Sequence, residues 1–197
     1  MSMKKLLLIG FYFICFYGFS QNYFFIDKKG IKTIIQDDSF DLKIKDERIE
    51  YVPEGKKWEK YIKFKDIDYG LFGSYFFKSF KLKKENGNSK RETAFFVLAE
   101  TAERKLLAYA YTVIGKYSSL DFYEVYVIDN NNVLLDFAKV NTGGSDTDER
   151  AEILPFIKKH FSNCKVILDE FSKYDDTDKK HLNILGFFDN LSYRKCE

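Results

Sequence analysis

From Tyr23 to Val140 apolar and polar residues alternate in short blocks. Tyr23–Ile26 and Ile31–Ile35 flank Asp27-Lys28-Lys29-Gly30, two apolar runs around a polar stretch ending in Gly, which predicts a hairpin. Phe40-Asp41-Leu42-Lys43-Ile44-Lys45 alternates with period 2, so one face of a strand is apolar and the other wet. Arg48–Val52 repeats the pattern, Pro53-Glu54-Gly55 supplies a turn, and Trp58–Lys65 alternates again. After a break at Gly70 and Gly73, Tyr75–Leu82 divides cleanly. Phe76, Lys78, Phe80 and Leu82 share one face, and Tyr75, Phe77, Ser79 and Lys81 the other. Glu85-Asn86-Gly87-Asn88 predicts the next turn. Residues 92–114 mix helix-forming Ala, Leu and Glu with strand-forming Phe95-Phe96-Val97 and Tyr109–Val113. Two strands turning at Thr101–Arg104 fit the surrounding pattern. Phe122–Ile128 and Val133–Val140 around Asp129-Asn130-Asn131-Asn132 predict a further hairpin.

The period changes after Gly143-Gly144. Ser145 can cap a helix, acids at 146, 148 and 149 suit its start, and Lys158, Lys159 and His160 suit its end. Ala151, Leu154, Ile157 or Lys158, and Phe161 form its stripe. Pro155 must kink this helix or begin a second one. Asn163 is the expected cap of a segment with Val166, Ile167 and Phe171, and Thr177 of another with Leu182, Leu185 and Phe188. Strands first and helices last predict an α+β fold: an antiparallel sheet over residues 23–140, with helices from 145–191 packed on one face. No repeat or long linker divides residues 21–197, so one domain is expected.

Residues 1–20 have the layout of a secretory signal peptide: Lys4 and Lys5, then an uncharged run from Leu6 to Phe19, then small Gly18 and Ser20 before a cut at Ser20–Gln21. The competing reading is a retained anchor, since no charge follows Lys5 until Asp27. Membrane association is expected only through such an uncleaved leader. Cleavage would leave 177 residues with 30 basic and 30 acidic side chains. That balance removes the basic excess on which nucleic-acid affinity depends. It would also discard Cys15 and leave Cys164 and Cys196, an even pair suited to an oxidising compartment. A disulfide between them is expected, with two separate thiols as the alternative.

Little chemistry is legible. Val140–Ser145 is a Gly-rich strand-to-helix loop, but it matches no phosphate-binding pattern, and the acids beside it would repel a phosphate. His160 and Cys164 stand four apart, the spacing of a nucleophile and its base on one helix, yet Ser162-Asn163 reads as a helix break. His160 and His181, the only histidines, have no zinc-binding context, and Asp175-Asp176-Thr177-Asp178 lacks the alternation of a calcium loop. No catalytic, cofactor or metal residue is therefore assigned, and no cofactor is expected. Tyr61–Lys65 and Phe77–Lys84 interleave lysine with aromatics, which strand alternation alone explains. Residues 21–90 nonetheless hold 16 basic against 12 acidic groups, a face able to meet an anionic surface or an acidic partner.

The leader ending in Phe19-Ser20-Gln21-Asn22, the stretches FFVLAET (95–101) and KLLAYAY (105–111), and the closing HFSNC (160–164) give the chain a likeness. It resembles small exported proteins of unknown function from Bacteroidetes bacteria. That resemblance implies export and transfers no functional residues. The expected function is an exported, periplasmic or extracellular, non-catalytic module. It would bind a protein, peptide or envelope component through the edge or a face of its sheet, with an inhibitor or immunity role included. Two alternatives are a secreted hydrolase, built on dispersed carboxylates or Cys164, and a binder of lipid or another hydrophobic ligand inside a curved sheet. Convergent titratable groups in a cleft would favour the hydrolase, an enclosed apolar cavity the lipid binder, and an exposed aromatic patch the binding module.

Overall fold

The computed structural model describes residues 23–43, 46–84, 89–116, 118–144, 147–174, 179–189 and 191–196, with the side chains at 38, 89–91 and 189 set aside. The leader with Ser20 and Gln21, the 85–88 turn, Ser145 and the 175–178 acidic cluster with Thr177 lie outside these residues. The strands are β1 (Tyr23–Asp27), β2 (Lys32–Lys43), β3 (Arg48–Pro53), β4 (Lys60–Lys63), β5 (Ile67–Phe72), β6 (Tyr75–Lys83), β7 (Ser89–Glu100), β8 (Arg104–Ile114), β9 (Ser119–Asp129), β10 (Leu134–Asn141) and β11 (Arg194–Lys195). Ten of them form one antiparallel sheet in the order β10-β9-β8-β7-β6-β5-β1-β2-β3-β4, and β11 joins β7 in parallel. The helices are short: α1 (Thr147–Ala151), α2 (Ile153–Phe161), α3 (Lys165–Ser172) and α4 (Gly186–Asp189). The fold is thus α+β, with the helices a minor part.

Two hairpins are closed by the same device. Asp27 Oδ1 accepts the N–H groups of Lys29 and Ile31, and Asp129 Oδ1 those of Asn131 and Val133. In each the residue three after the aspartate is left-handed, Gly30 at φ +79° and Asn132 at φ +63°. Asp, Asn and Gly supply such turns because a short side chain, or none, tolerates that conformation. Residues 92–114 do form two strands, and Thr101 Oγ1 accepts from Glu103 and Arg104 in the turn between them.

The strand boundaries depart from the alternation in three places. The runs at Ile31–Ile35 and Phe40–Lys43 belong to one strand, β2. It pairs with β1 as far as Ile34 and with β3 at Ile35 and again from Phe40 onward, with its register shifted in between. β5 occupies the stretch read as a break. Gly70 lies inside it because a Cβ there would meet the Phe72 ring at 2.7 Å and the Phe24 carbonyl at 3.2 Å. Only Lys60–Lys63 of the Trp58–Lys65 run is strand. A 3₁₀ turn at Phe64–Asp66 then carries Phe64 into the core, against Phe77 at 5.3 Å between ring centres.

The sheet buries both its faces over β6–β9. One core holds Phe77, Phe96, Leu98, Leu106, Val125 and Val127 on the sheet, covered by Ile153, Ile157, Phe161, Ile167, Phe171, Phe187 and Phe188 from the helical part. The same core takes in Phe25, Ile35, Ile49, Tyr51, Phe64 and Phe72 from the N-terminal strands. A second core holds Phe80, Leu82, Phe95, Val97, Leu107, Tyr126 and Ile128. These come from the opposite positions of the same strands, as the Tyr75–Leu82 alternation requires. Coiling of β6–β10 accounts for their burial: Lys83 at the end of β6 bridges Val133, and its N–H donates to Asn132 C=O at 2.8 Å. The first of five consecutive strands therefore meets the turn that leads into the last.

In the helical part Pro155 does start a second helix, standing in the first turn of α2, where its missing N–H costs nothing. The buried stripe is Ile153, Ile157 and Phe161, while Ala151 and Leu154 are half-buried. Asn163 caps nothing. Cys164 C=O accepts the first bond of α3, from Leu168, because the buried Cys164 must sit where it bonds Cys196. Val166 faces outward, 51% exposed. The end of the chain becomes β11 and holds its place through the disulfide and the Cys196 N–H to Glu100 C=O bond.

Candidate functional site

Three places gather polar or aromatic side chains. The first is a groove of about 440 Å³ beside the disulfide, between the β7–β8 turn and the end of α2. The Cys164 and Cys196 Cα atoms are 5.1 Å apart and their sulfurs are bonded, so Cys164 offers no thiolate as a nucleophile. His160 is nearly buried. Arg104 Nη1 lies 3.3 Å from its Nδ1, and its Nε2 lies 2.7 Å from Asp136 Oδ2. Arginine can only donate, so Nδ1 accepts and Nε2–H donates to the carboxylate. Both ring nitrogens are engaged, which leaves none to act as a base. Lys159 Nζ also reaches Asp136 at 2.7 Å. Burial alone would raise the pKa of Asp136, but the bonds from Lys159, His160 and the Phe137 N–H outweigh it and hold the carboxyl at about 2. Glu170 is likewise held down, chiefly by Lys173 and further by Arg194. A general acid needs the opposite shift. The groove reads as a latch joining β8, β10 and α2.

The second place is a tyrosine cluster on β8–β10. Tyr126 Oη donates to Glu124 at 2.6 Å and Tyr111 Oη at 3.4 Å, and Lys139 reaches Glu124 at 3.1 Å. Burial, with Glu124 behind it, pushes Tyr109 up to about 12, and the same two causes raise Tyr126. The Tyr111 and Phe122 rings lie nearly parallel, their centres 5.3 Å apart. Both are half-buried rather than exposed, and Lys139 sits over them at 5.7 and 5.3 Å. The cluster is occupied by its own side chains.

The third place is β4 and the connection that leads to it. β4 ends the sheet, with only β3 beside it. Trp58, the chain's only tryptophan, is 59% exposed and Tyr61 is 61% exposed. Lys56 Nζ stands over the Trp58 ring at 5.7 Å and the Arg48 guanidinium over Tyr61 at 5.4 Å. Residues 56–65 carry five lysines against one acid, Glu59. Among the described residues, Lys57, Lys60, Lys63 and Lys65 enter no ion pair. Across β3, by contrast, Arg48, Lys43, Glu50, Asp41 and Asp46 neutralise one another. The charge excess read over residues 21–90 therefore concentrates at one edge.

No family model, curated protein or solved structure matches this chain. Its function is argued from these surfaces alone.

The Gly143-Gly144 loop has the wrong polarity for a phosphate. The carbonyls of Asn141 and Gly143 each accept from Arg150 Nη1 at 2.7 Å, and Lys180 C=O accepts from its Nε at 2.8 Å. Arg150 is fully buried and is the one charged side chain among the buried residues described. Sequence reasoning gives Arg150 no role. Its place three residues before Ile153 and seven before Ile157, on the face those residues bury, is the one available signal. His160 and His181 stand in different parts of the fold. Among the described residues no group of three or more His, Cys, Asp or Glu side chains could hold a metal ion, and no helix is long and apolar enough to cross a membrane.

Proposed function

We propose that this chain is an exported, non-catalytic binding module whose contact surface is the β4 edge. One observation carries the reading: the only tryptophan stands exposed, with Tyr61, on the unpaired basic end of the sheet. Tryptophan and tyrosine bring large, stiff, half-apolar contact area and recur where binding energy concentrates. Export is supported by the Cys164–Cys196 bond, which suits an oxidising compartment. An inhibitor or immunity protein would have this build. The hydrolase reading has less support, because Cys164 is bonded and Asp136 is locked. A ligand inside the coiled strands would compete with seven buried side chains for the same space.

Site-directed photocrosslinking tests the reading. A photoreactive phenylalanine replacing Tyr61, irradiated with the envelope fraction of the native host, should give a discrete adduct that Trp58→Ala abolishes. The same group at Val166, on the helical side, should give none. Equal adducts from both positions would overturn the reading, as would turnover of a hydrolase substrate panel lost on one carboxylate substitution.

A further inference from the structure

The identity of the partner can be narrowed, on the reading that the β4 edge is the contact surface. A sheet edge presents a row of N–H and C=O groups that an extended chain can complete. Short, lysine-bearing edge strands also guard against self-pairing. That guard accounts for Lys60 and Lys63 but not for an exposed Trp58 and Tyr61, which add apolar surface where a guard removes it. Self-pairing is disfavoured on the same charges, because two β4 strands side by side would set lysine against lysine. The opposite edge, β10, also leaves Leu135 and Phe137 exposed, but its charges are matched: Lys159 and His160 take Asp136, and Lys139 takes Glu124. The cations that remain unmatched, Lys57, Lys60, Lys63 and Lys65, flank the exposed rings on both sides in sequence. We infer that the β4 edge receives an extended acidic segment of a partner protein. That segment would add as a further strand, with carboxylates on both its faces to meet Lys60 and Lys63, which lie on opposite faces of β4, and with apolar side chains lying on Trp58 and Tyr61.

Trp58 emission reports the binding directly, since no other tryptophan contributes. The probes are a capped Glu–Thr peptide of Glu-Glu-Thr-Thr repeats, which carries carboxylates on both faces, its Lys–Thr counterpart of Lys-Lys-Thr-Thr repeats, and a Glu–Pro peptide of equal charge whose prolines remove backbone donors. Vesicles of phosphatidylglycerol and phosphatidylcholine, and an oligothymidylate, complete the set. The Glu–Thr peptide should bind and the Lys–Thr peptide should not. Affinity should fall by about tenfold or more for the Glu–Pro peptide, and similarly in about 1 M salt, where screening acts within about 3 Å. The double variant Lys60→Glu/Lys63→Glu, checked for unchanged circular dichroism, should reverse the preference toward Lys–Thr. Equal binding of Glu–Thr and Glu–Pro, tighter binding to vesicles or oligonucleotide, or an unchanged emission with every peptide would overturn the inference. A Tyr61 adduct with a partner lacking an acidic extended segment would overturn it too, and would leave the binding-module reading standing.

Discussion

The two edges of the sheet are treated in opposite ways. At β10 the charged groups are matched, although Leu135 and Phe137 stand exposed: a buried arginine holds the carbonyl at the strand's end, Lys159 and His160 hold Asp136, and the turn before it meets β6. At β4 the backbone edge, two aromatic rings and several ammonium groups face outward. The helices and the disulfide lie on the side of β7–β10, and β6–β9 are buried on both faces. The contrast separates the part of the molecule that maintains the fold from the part placed to meet something else.

The contrast breaks most sharply at Arg150. Arg150→Ala strands three backbone carbonyls and opens a hole, and should cost about 3–5 kcal/mol in denaturant unfolding. A cost under about 1 kcal/mol would mean that β10 is not held in this way. Next is the disulfide. Cys164→Ser/Cys196→Ser frees a loop of 32 residues and should cost about 3–4 kcal/mol on the chain-entropy account, read as a lowered unfolding midpoint.

Asp136 sharpens the comparison through pH. Its folded pKa lies at about 2 against an ordinary 3.8. Its contribution is therefore complete above about pH 4 and is lost as pH falls through 2. The upper bound is about 2 kcal/mol, from 1.36 kcal/mol per unit. Asp136→Asn should flatten the acid-unfolding curve in that window and lower stability at neutral pH. The two aspartate turns, one in each half, offer an internal control. Asp27→Ala and Asp129→Ala each remove two N–H acceptors, and each should cost about 1 kcal/mol. A large inequality would show that the β9–β10 turn depends more on its contact with Lys83 than on its own chemistry. The smallest effect belongs to the open edge. Trp58→Ala or Lys60→Glu should change stability by no more than about 0.5 kcal/mol, measured by thermal melts, while changing binding.

Much of the fold was legible because strands and turns follow local rules. Tyr75–Leu82 sorted its side chains between two cores that were not yet visible, and Asp27–Gly30 and Asp129–Asn132 announced their turns. The errors fell where distant groups decide. Gly70 signalled a break by composition, yet it is a strand residue beneath the Phe72 ring. Asn163 had cap chemistry, yet the helix begins at the residue that Cys196 holds in place. The candidate site was half legible: lysine interleaved with aromatics in Tyr61–Lys65 was noticed and explained by alternation.

The chain's pattern by itself determined the strand-then-helix order, the hairpins, the presence of Cys164 and Cys196 and the overall charge balance. Each depends on neighbours within a few residues or on a count. Only the tertiary structure decided which edge stays open, where the uncompensated lysines gather and why Arg150 is buried. Those properties depend on which groups find partners across the fold. Burial, pairing and exposure are relations between residues far apart in the chain, and alternation carries no record of them.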